Sequence, residues 1–266
     1  MAIKLKNKKS AMTNVATRVA VVTGAAQGLG QGFAVRLAND GYQVIGVDRV
    51  KCSQTGTMIK EQGGNFKSFV IDLAEPMSIE IGVKKILRAY KAVDVLVNNA
   101  GVIPNVAFEK IDLDAWRRLM AVNLDAPFLL SKAFISGMVD KGRGRIINIA
   151  SNTLGLKVPG FVHYVSSKGG IIGLTRSLAS EFGDRGITVN AVSPGLTRTH
   201  GMMDPNRRGP GGVTTEQEIE FLAQLQAIPR GGEVSDLVGT VSFLASDDAS
   251  FITGQTISVD GGLWRL

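Results

Sequence analysis

Cysteine is almost missing from this chain. Cys52 stands alone among 266 residues, which excludes an internal disulfide framework and fits a reducing, cytoplasmic setting. Histidine is nearly as scarce, with only His163 and His200, and no Cys/His cluster has the spacing of a metal site, so no metal is expected. No apolar run approaches the roughly 18 residues of a membrane span, and the basic start lacks the continuous apolar segment of a secretory signal. No membrane partner is therefore expected. Acids are absent from the first 17 residues, where Lys4, Lys6, Lys8 and Lys9 sit. The net charge is +7, and less those four lysines the remainder carries only +3. No aromatic-rich basic stripe follows. Residues 1–17 therefore read as a flexible basic arm, and no nucleic-acid partner is expected.

What the chain has in quantity is glycine, 32 residues placed mostly at the ends of apolar runs. These runs alternate between two kinds. Arg18–Thr23, Val44–Val47, Phe69–Ile71, Val93–Val97, Ile146–Ile149, Ile187–Val192 and Thr256–Val259 are short and mostly continuously apolar, as strands covered on both faces are. Gln31–Asn39, Ile79–Tyr90, Leu113–Met138, Tyr164–Phe182, Thr215–Gln226 and Val234–Ala245 carry a helical period. The expectation is one α/β domain over residues 18–266, a doubly wound Rossmann domain. Its seven-stranded, mostly parallel sheet would carry helices on both faces. The one long insertion, with its following helix, spans about 196–227 beyond a strand's carboxyl end, where ligands bind in such sheets.

Thr23-Gly24-Ala-Ala-Gln27-Gly28-Leu29-Gly30 joins the first strand to the first helix. Glycine there permits a tight turn, and a helix N-terminus offers N–H groups to a pyrophosphate. Asp48 ends the second strand, 18 residues after Gly30, where a carboxylate accepts from a ribose 2′-OH and repels a 2′-phosphate. NAD is the expected cofactor. The neighbouring Arg49 keeps NADP as an alternative.

Ser151 closes one strand, and Tyr164 and Lys168 share a face of the next helix, one turn apart. A hydroxyl, a phenol and an ammonium gathered in this way suit the movement of one proton. A hydrolase reading of Ser151 fails, because no nucleophile-elbow glycine pattern brackets it; His163 is expected to pack or to line the cleft rim.

These residues, with Asn98-Asn99-Ala100-Gly101, Asn123, Pro194-Gly195 and the closing Ile252–Gly262 stretch, carry a resemblance to the short-chain dehydrogenase/reductase family from about Arg18 to Gly262. The resemblance implies hydride transfer between a nicotinamide and a carbinol carbon. Tyr164 would be the general base for oxidation and general acid for the reverse, with its pKa lowered by Lys168 and by the oxidised nicotinamide's positive charge, and Lys168 would also hold the nicotinamide ribose. Ser151 would bond the substrate oxygen, and Asn123 would hold a water linking Lys168 to solvent. Asp72 and Leu73 would flank the adenine, and Asn99, Ala100 and Gly101 would pass along the ribose. Pro194 and Gly195 would face the nicotinamide, with Thr197 backbone and Thr199 hydroxyl on its carboxamide. It further implies a homotetramer through the two long helices and the last strand, with Leu263–Leu266 reaching a neighbour.

For the substrate, Ile103, Leu154, Val158, Phe161, Met202, Met203 and Phe221 are the candidate apolar wall, and Arg198, Arg207 and Arg208 the only candidate anion partners. An uncharged hydrophobic secondary alcohol or its ketone is expected. Leu225–Arg230, Phe243–Gln255 and His163-Tyr164 resemble a bacterial subgroup of NAD-dependent 1-phenylethanol and pyridoxal dehydrogenases, related to enzymes acting on borneol-like terpenoids. Two other readings stand beside this one: an NADP-dependent ketone or 3-oxoacyl reductase, and a non-catalytic dinucleotide-binding sensor.

Overall fold

The computed structural model describes residues 17–265. The expected basic arm lies outside them but for Thr17, as does Leu266. Seven strands form one wholly parallel sheet: β1 Val19–Thr23, β2 Gln43–Asp48, β3 Asn65–Val70, β4 Val95–Asn98, β5 Gly144–Ile149, β6 Ile187–Pro194 and β9 Thr256–Val259. The order across it is β3-β2-β1-β4-β5-β6-β9. Two further strands, β7 Thr197–Arg198 and β8 Gly232–Glu233, pair only with each other. The chain starts in the middle, winds outward to β3, then returns to place β4 on the other side of β1. That reversal opens a crevice between β1 and β4.

Successive strand residues serve opposite faces, because side chains alternate along an extended chain. Val95 and Val97 join one core with Phe33 and Leu37 of α1 (Gly28–Asn39) and Leu237, Val241 and Leu244 of α8 (Val234–Ala245). Leu96 joins the other, with Ile79, Val83 and Ile86 of α3 (Pro76–Tyr90) and Leu130, Phe134 and Met138 of α5 (Ala126–Asp140). Both faces are therefore covered, which is why strands such as β1 and β4 read as unbroken apolar runs.

Two elements depart from the expected pattern. Helix α2 (Ser53–Glu61) was not legible, because its inward residues are Thr55, Gly56 and Ile59. The Phe66 ring lies against Gly56 and replaces the apolar side chain that would have marked the helix. The third strand was expected at Phe69–Ile71, but β3 runs from Asn65 to Val70 at the sheet edge, with Val70 64% exposed. Its half-solvated alternation hides it.

The expected helix from Leu113 is three pieces in line: α4 (Leu113–Met120), a π turn over Ala121–Asp125, and α5. By length and mean hydropathy, 1.3 over its most apolar window, Leu113–Asp140 could cross a bilayer. Instead Leu130, Phe134, Ile135 and Met138 lie buried against the sheet. Helix α6 (Val162–Phe182) begins two residues before Tyr164, and α7 (Thr215–Leu225) follows the long insertion.

Candidate active site

Residues just past the ends of β1, β2, β4, β5 and β6 line one cleft of about 710 Å³. At its first end lies the turn into α1. Helix α1 starts at Gly28, three residues earlier than expected, so Gly28 and Gly30 belong to its first turn. Gly28 has φ +61°, in the left-handed region that disfavours side chains. A Cβ on Gly30 would collide with the Gly24 carbonyl oxygen. The N-cap Gln27 makes no side-chain capping bond, and no acid sits in the first turn. The helix N-terminus therefore keeps its N–H groups and partial positive charge for an anion.

The loop is held from both sides. Asp48 Oδ2 accepts from the Ala26 N–H at 3.0 Å, tying β2 to the turn. The Thr23 hydroxyl accepts from the N–H groups of Asn99 (2.9 Å) and Ala100 (3.0 Å), tying β1 to β4. Asn98 donates to Asn148 Oδ1 at 2.8 Å within the sheet. Gly24, Gln27, Gly28, Leu29, Asp48, Arg49, Asp72, Leu73, Asn99, Ala100, Gly101, Pro194, Gly195, Thr197 and Thr199 all border the cleft. A helix N-terminus open to an anion, a fixed carboxylate and a long groove between them suit a dinucleotide.

At the other end, Ser151, Tyr164 and Lys168 border the same cleft. Tyr164 and Lys168 are both 5% exposed. Phe161 meets the Tyr164 ring edge to face, with centroids 6.1 Å apart, and fixes its plane. Lys168 Nζ donates to the Ile149 carbonyl at 2.6 Å. Burial alone lowers its pKa to about 8. Tyr164 goes the other way: burial raises its pKa, and the Ser151 hydroxyl opposes only in part. The Lys168 ammonium lies 5.8 Å from the Tyr164 ring centroid.

The Asn123 side chain is bonded within the protein. The π turn, whose extra residue shifts the side chains, buries it. Its Oδ1 accepts from Val102 N–H at 2.9 Å, and its Nδ2 donates to Val102 O at 3.0 Å and Ser167 Oγ at 3.2 Å. It braces the segment after β4 against α6. A Cβ on Gly101 would stand 3.7 Å from Lys168 Nζ, so this bracing shapes the space beside the lysine.

The substrate wall is partly as expected. Ile103, Val158, Phe161 and Met202 line the cleft; Leu154, Met203 and Phe221 do not. Leu154 sits in a 3-10 turn (Asn152–Gly155) and turns toward Gly169 of α6, and Leu156 lines the cleft in its place. Met203 is 39% exposed beside the inward Met202. Phe221 is 61% exposed because α7 faces inward along Thr215, Glu218, Ile219 and Leu222. That stripe at i, i+3, i+4 and i+7 was the available signal, and Phe221 falls off it. His163 is packed rather than at the rim: it is 1% exposed, and burial lowers its pKa.

The turn after Ser151 has a support remote in sequence. Asp260 Oδ2 accepts from Asn152 Nδ2 at 3.3 Å and from the Trp264 N–H at 3.0 Å, and the Trp264 indole lies on Gly155. Neither Asp260 nor Trp264 was singled out as a site residue. Among the described residues, no group of three or more His, Cys, Asp or Glu is placed to hold a metal ion.

Comparison with known proteins agrees with this geometry. The family model for short chain dehydrogenases matches residues 18–209. The chain is 37% identical over 255 residues to the 3-oxoacyl-[acyl-carrier-protein] reductase FabG of Vibrio cholerae, covering 95% of this chain and 100% of that protein. It is 37% identical over 250 residues to a (2S)-[(R)-hydroxy(phenyl)methyl]succinyl-CoA dehydrogenase subunit of Thauera aromatica, covering 93% and 97%. Among solved structures, an NAD(P)-dependent gluconate 5-dehydrogenase from Beutenbergia cavernae, with NADP bound at low occupancy, superposes with a TM-score of 0.83. It is 37% identical, covering 94% of this chain and 97% of that one.

Proposed function

The chain belongs to the short-chain dehydrogenases, and on that premise we propose that it interconverts a secondary alcohol and its ketone with NAD. That it is an oxidoreductase using a nicotinamide dinucleotide follows from the family. The choice of NAD rests on one observation: the Asp48 carboxylate, pinned to Ala26, borders the cleft where a 2′-phosphate would have to lie.

The bound nicotinamide supplies the hydride acceptor or donor, together with positive charge in its oxidised form. In oxidation, Ser151 bonds the carbinol oxygen and Tyr164 takes its proton. Lys168, held by the Ile149 carbonyl, stabilises the phenolate before the transfer, and the proton then leaves Tyr164 for solvent past the ammonium. In reduction, Tyr164 returns the proton, the state that its raised pKa favours. Ile103, Val158, Phe161, Met202 and Leu222 give the carbinol an apolar surround, which supports an aryl-alkyl or alicyclic body. The hydroxy(phenyl)methyl group in the Thauera relative's name supports the aryl form. Borneol-like substrates have no such support among the relatives named. A cytoplasmic setting and a homotetramer are carried forward as part of this proposal.

The second reading is an NADP-dependent reductase of 3-oxoacyl or similar ketones. The 3-oxoacyl reductase relative and the NADP-bound gluconate 5-dehydrogenase structure favour it, and Arg49 borders the cleft beside Asp48. Steady-state turnover of an aryl secondary alcohol panel with both cofactors separates the two. We expect kcat/KM with NAD to exceed that with NADP by at least about tenfold, the size of one hydrogen bond to a charged group. In Asp48→Ala that ratio should fall toward one. A tenfold preference for NADPH with a 3-oxoacyl thioester would establish the second reading instead.

A further inference from the structure

The stretch from 196 to 225, the lid, borders the cleft and holds a charged pair that the hydride chemistry does not use. Arg207, in the loop before α7, donates from Nη1 to the Thr215 hydroxyl at 2.9 Å and to Glu218 Oε2 at 3.3 Å. The Thr215 hydroxyl in turn donates to the Met202 carbonyl at 2.6 Å. A capping box between Thr214 and Gln217 fixes the start of α7. The Arg207 and Glu218 side chains are only 17% and 18% exposed, and both border the cleft beside Met202 and Leu222.

The other two lid arginines stand apart from the cleft. Arg198 pairs with Glu216 and Glu233, and Arg208 donates to the carbonyls of Pro205 and Arg207. A partly buried ion pair is a weak source of stability, because desolvation offsets the attraction and an apolar pair of similar size would serve. A stabilising role alone does not account for charges in an otherwise apolar wall.

The guanidinium has five N–H donors. Among the described residues its hydrogen bonds leave only from Nη1, and Glu218 accepts only at Oε2. The pair therefore keeps donors on Nε and Nη2 and an acceptor on Oε1. A substrate carboxylate would meet Glu218, and a substrate ammonium would meet Arg207. A neutral group that both accepts and donates, a hydroxyl, suits both partners.

We propose that Arg207 and Glu218 form a polar subsite that recognises a second, uncharged hydroxyl on the substrate, remote from the carbinol that is oxidised. The inference rests on the alcohol dehydrogenase reading and narrows its substrate to a diol or hydroxy ketone with an apolar body between the two oxygens.

The test is kcat/KM for matched secondary alcohols with and without a second hydroxyl, placed three to six atoms from the carbinol on aryl and alicyclic frames. At least one hydroxylated member should be preferred tenfold or more over its plain partner. In the double variant Arg207→Met with Glu218→Leu, which leaves no orphaned charge, that ratio should fall to within about twofold of one. NAD binding followed by tryptophan fluorescence checks that the variant is folded. If it is not, Glu218→Gln alone should lower the same ratio at least threefold. A panel with no preference above threefold, or a preference that survives the double variant, overturns the subsite and leaves the dehydrogenase intact. Absence of turnover of every alcohol with either cofactor overturns both.

Discussion

The two ends of the cleft are built on different principles. The cofactor end is made of backbone: the first turn of α1, the Gly24–Gly30 turn, and the N–H groups of Ala26, Asn99 and Ala100. Thr23 and Asp48 hold main chain in place there. The substrate end is made of side chains drawn from the turn after β5, the loop before α7 and α7 itself. Backbone cradles demand particular residues at particular spacings, because only glycine fits where main chain must approach main chain. Side-chain walls tolerate many residues of similar volume. The first kind of site announces itself in a sequence and the second does not.

That contrast can be tested where the two ends meet. The largest effect is expected from Tyr164→Phe, which removes the proton relay and keeps the ring against Phe161. Turnover should fall by roughly 10²–10⁴-fold, the usual range for a general acid–base, with dinucleotide affinity nearly unchanged by titration calorimetry. Equal loss of cofactor affinity would mean that the two ends are not separable.

A smaller effect concerns stability. The folded pKa of Lys168, about 8, lies below its ordinary 10.5, so the unfolded chain binds more protons between those values. Below pH 8 the ligand-free fold carries the full cost of a buried ammonium. That cost is relieved as pH rises through the window, by at most about 3 kcal/mol. Denaturant titrations of wild type against Lys168→Met should therefore converge as the pH rises from 7.5 to 9.5. Parallel curves would show that the ammonium is not desolvated.

The smallest effect sharpens the lid. Leu222→Ala should lower kcat/KM for a bulky alcohol about tenfold, as expected for lost contacts in a hydrophobic pocket. Phe221→Ala, one position away but exposed, should change it less than about twofold. The reverse result would mean that α7 turns its other face inward.

The legibility of the fold follows the same division. β1, β4, β5 and β6 were plain because both faces are covered, and Ser151, Tyr164 and Lys168 because strand end and helix spacing place them together. Helix α2 was hidden because Gly56 yields its space to Phe66, a contact across elements that no local window contains. The side-chain partners of Asn123 were not legible because a π turn shifts the register within an otherwise regular apolar period. The balance of Tyr164 against Lys168 depends on burial, which spacing does not reveal. Leu222 was distinguishable from Phe221 only by following the inward stripe of α7, and no periodic signal separates Met202 from Met203 in the turn before it.

The clasp on the catalytic turn sets an order of events during synthesis. Asn152 leaves the ribosome 108 positions before Asp260, its partner, and Trp264 follows later still. Strands β1 to β4, with the turn into α1 and Asp48, are all made before Ser151. The wall carrying Ser151 lacks its backing until Asp260 and Trp264 emerge. The backing of the Ser151 turn is therefore among the later contacts the growing chain can make.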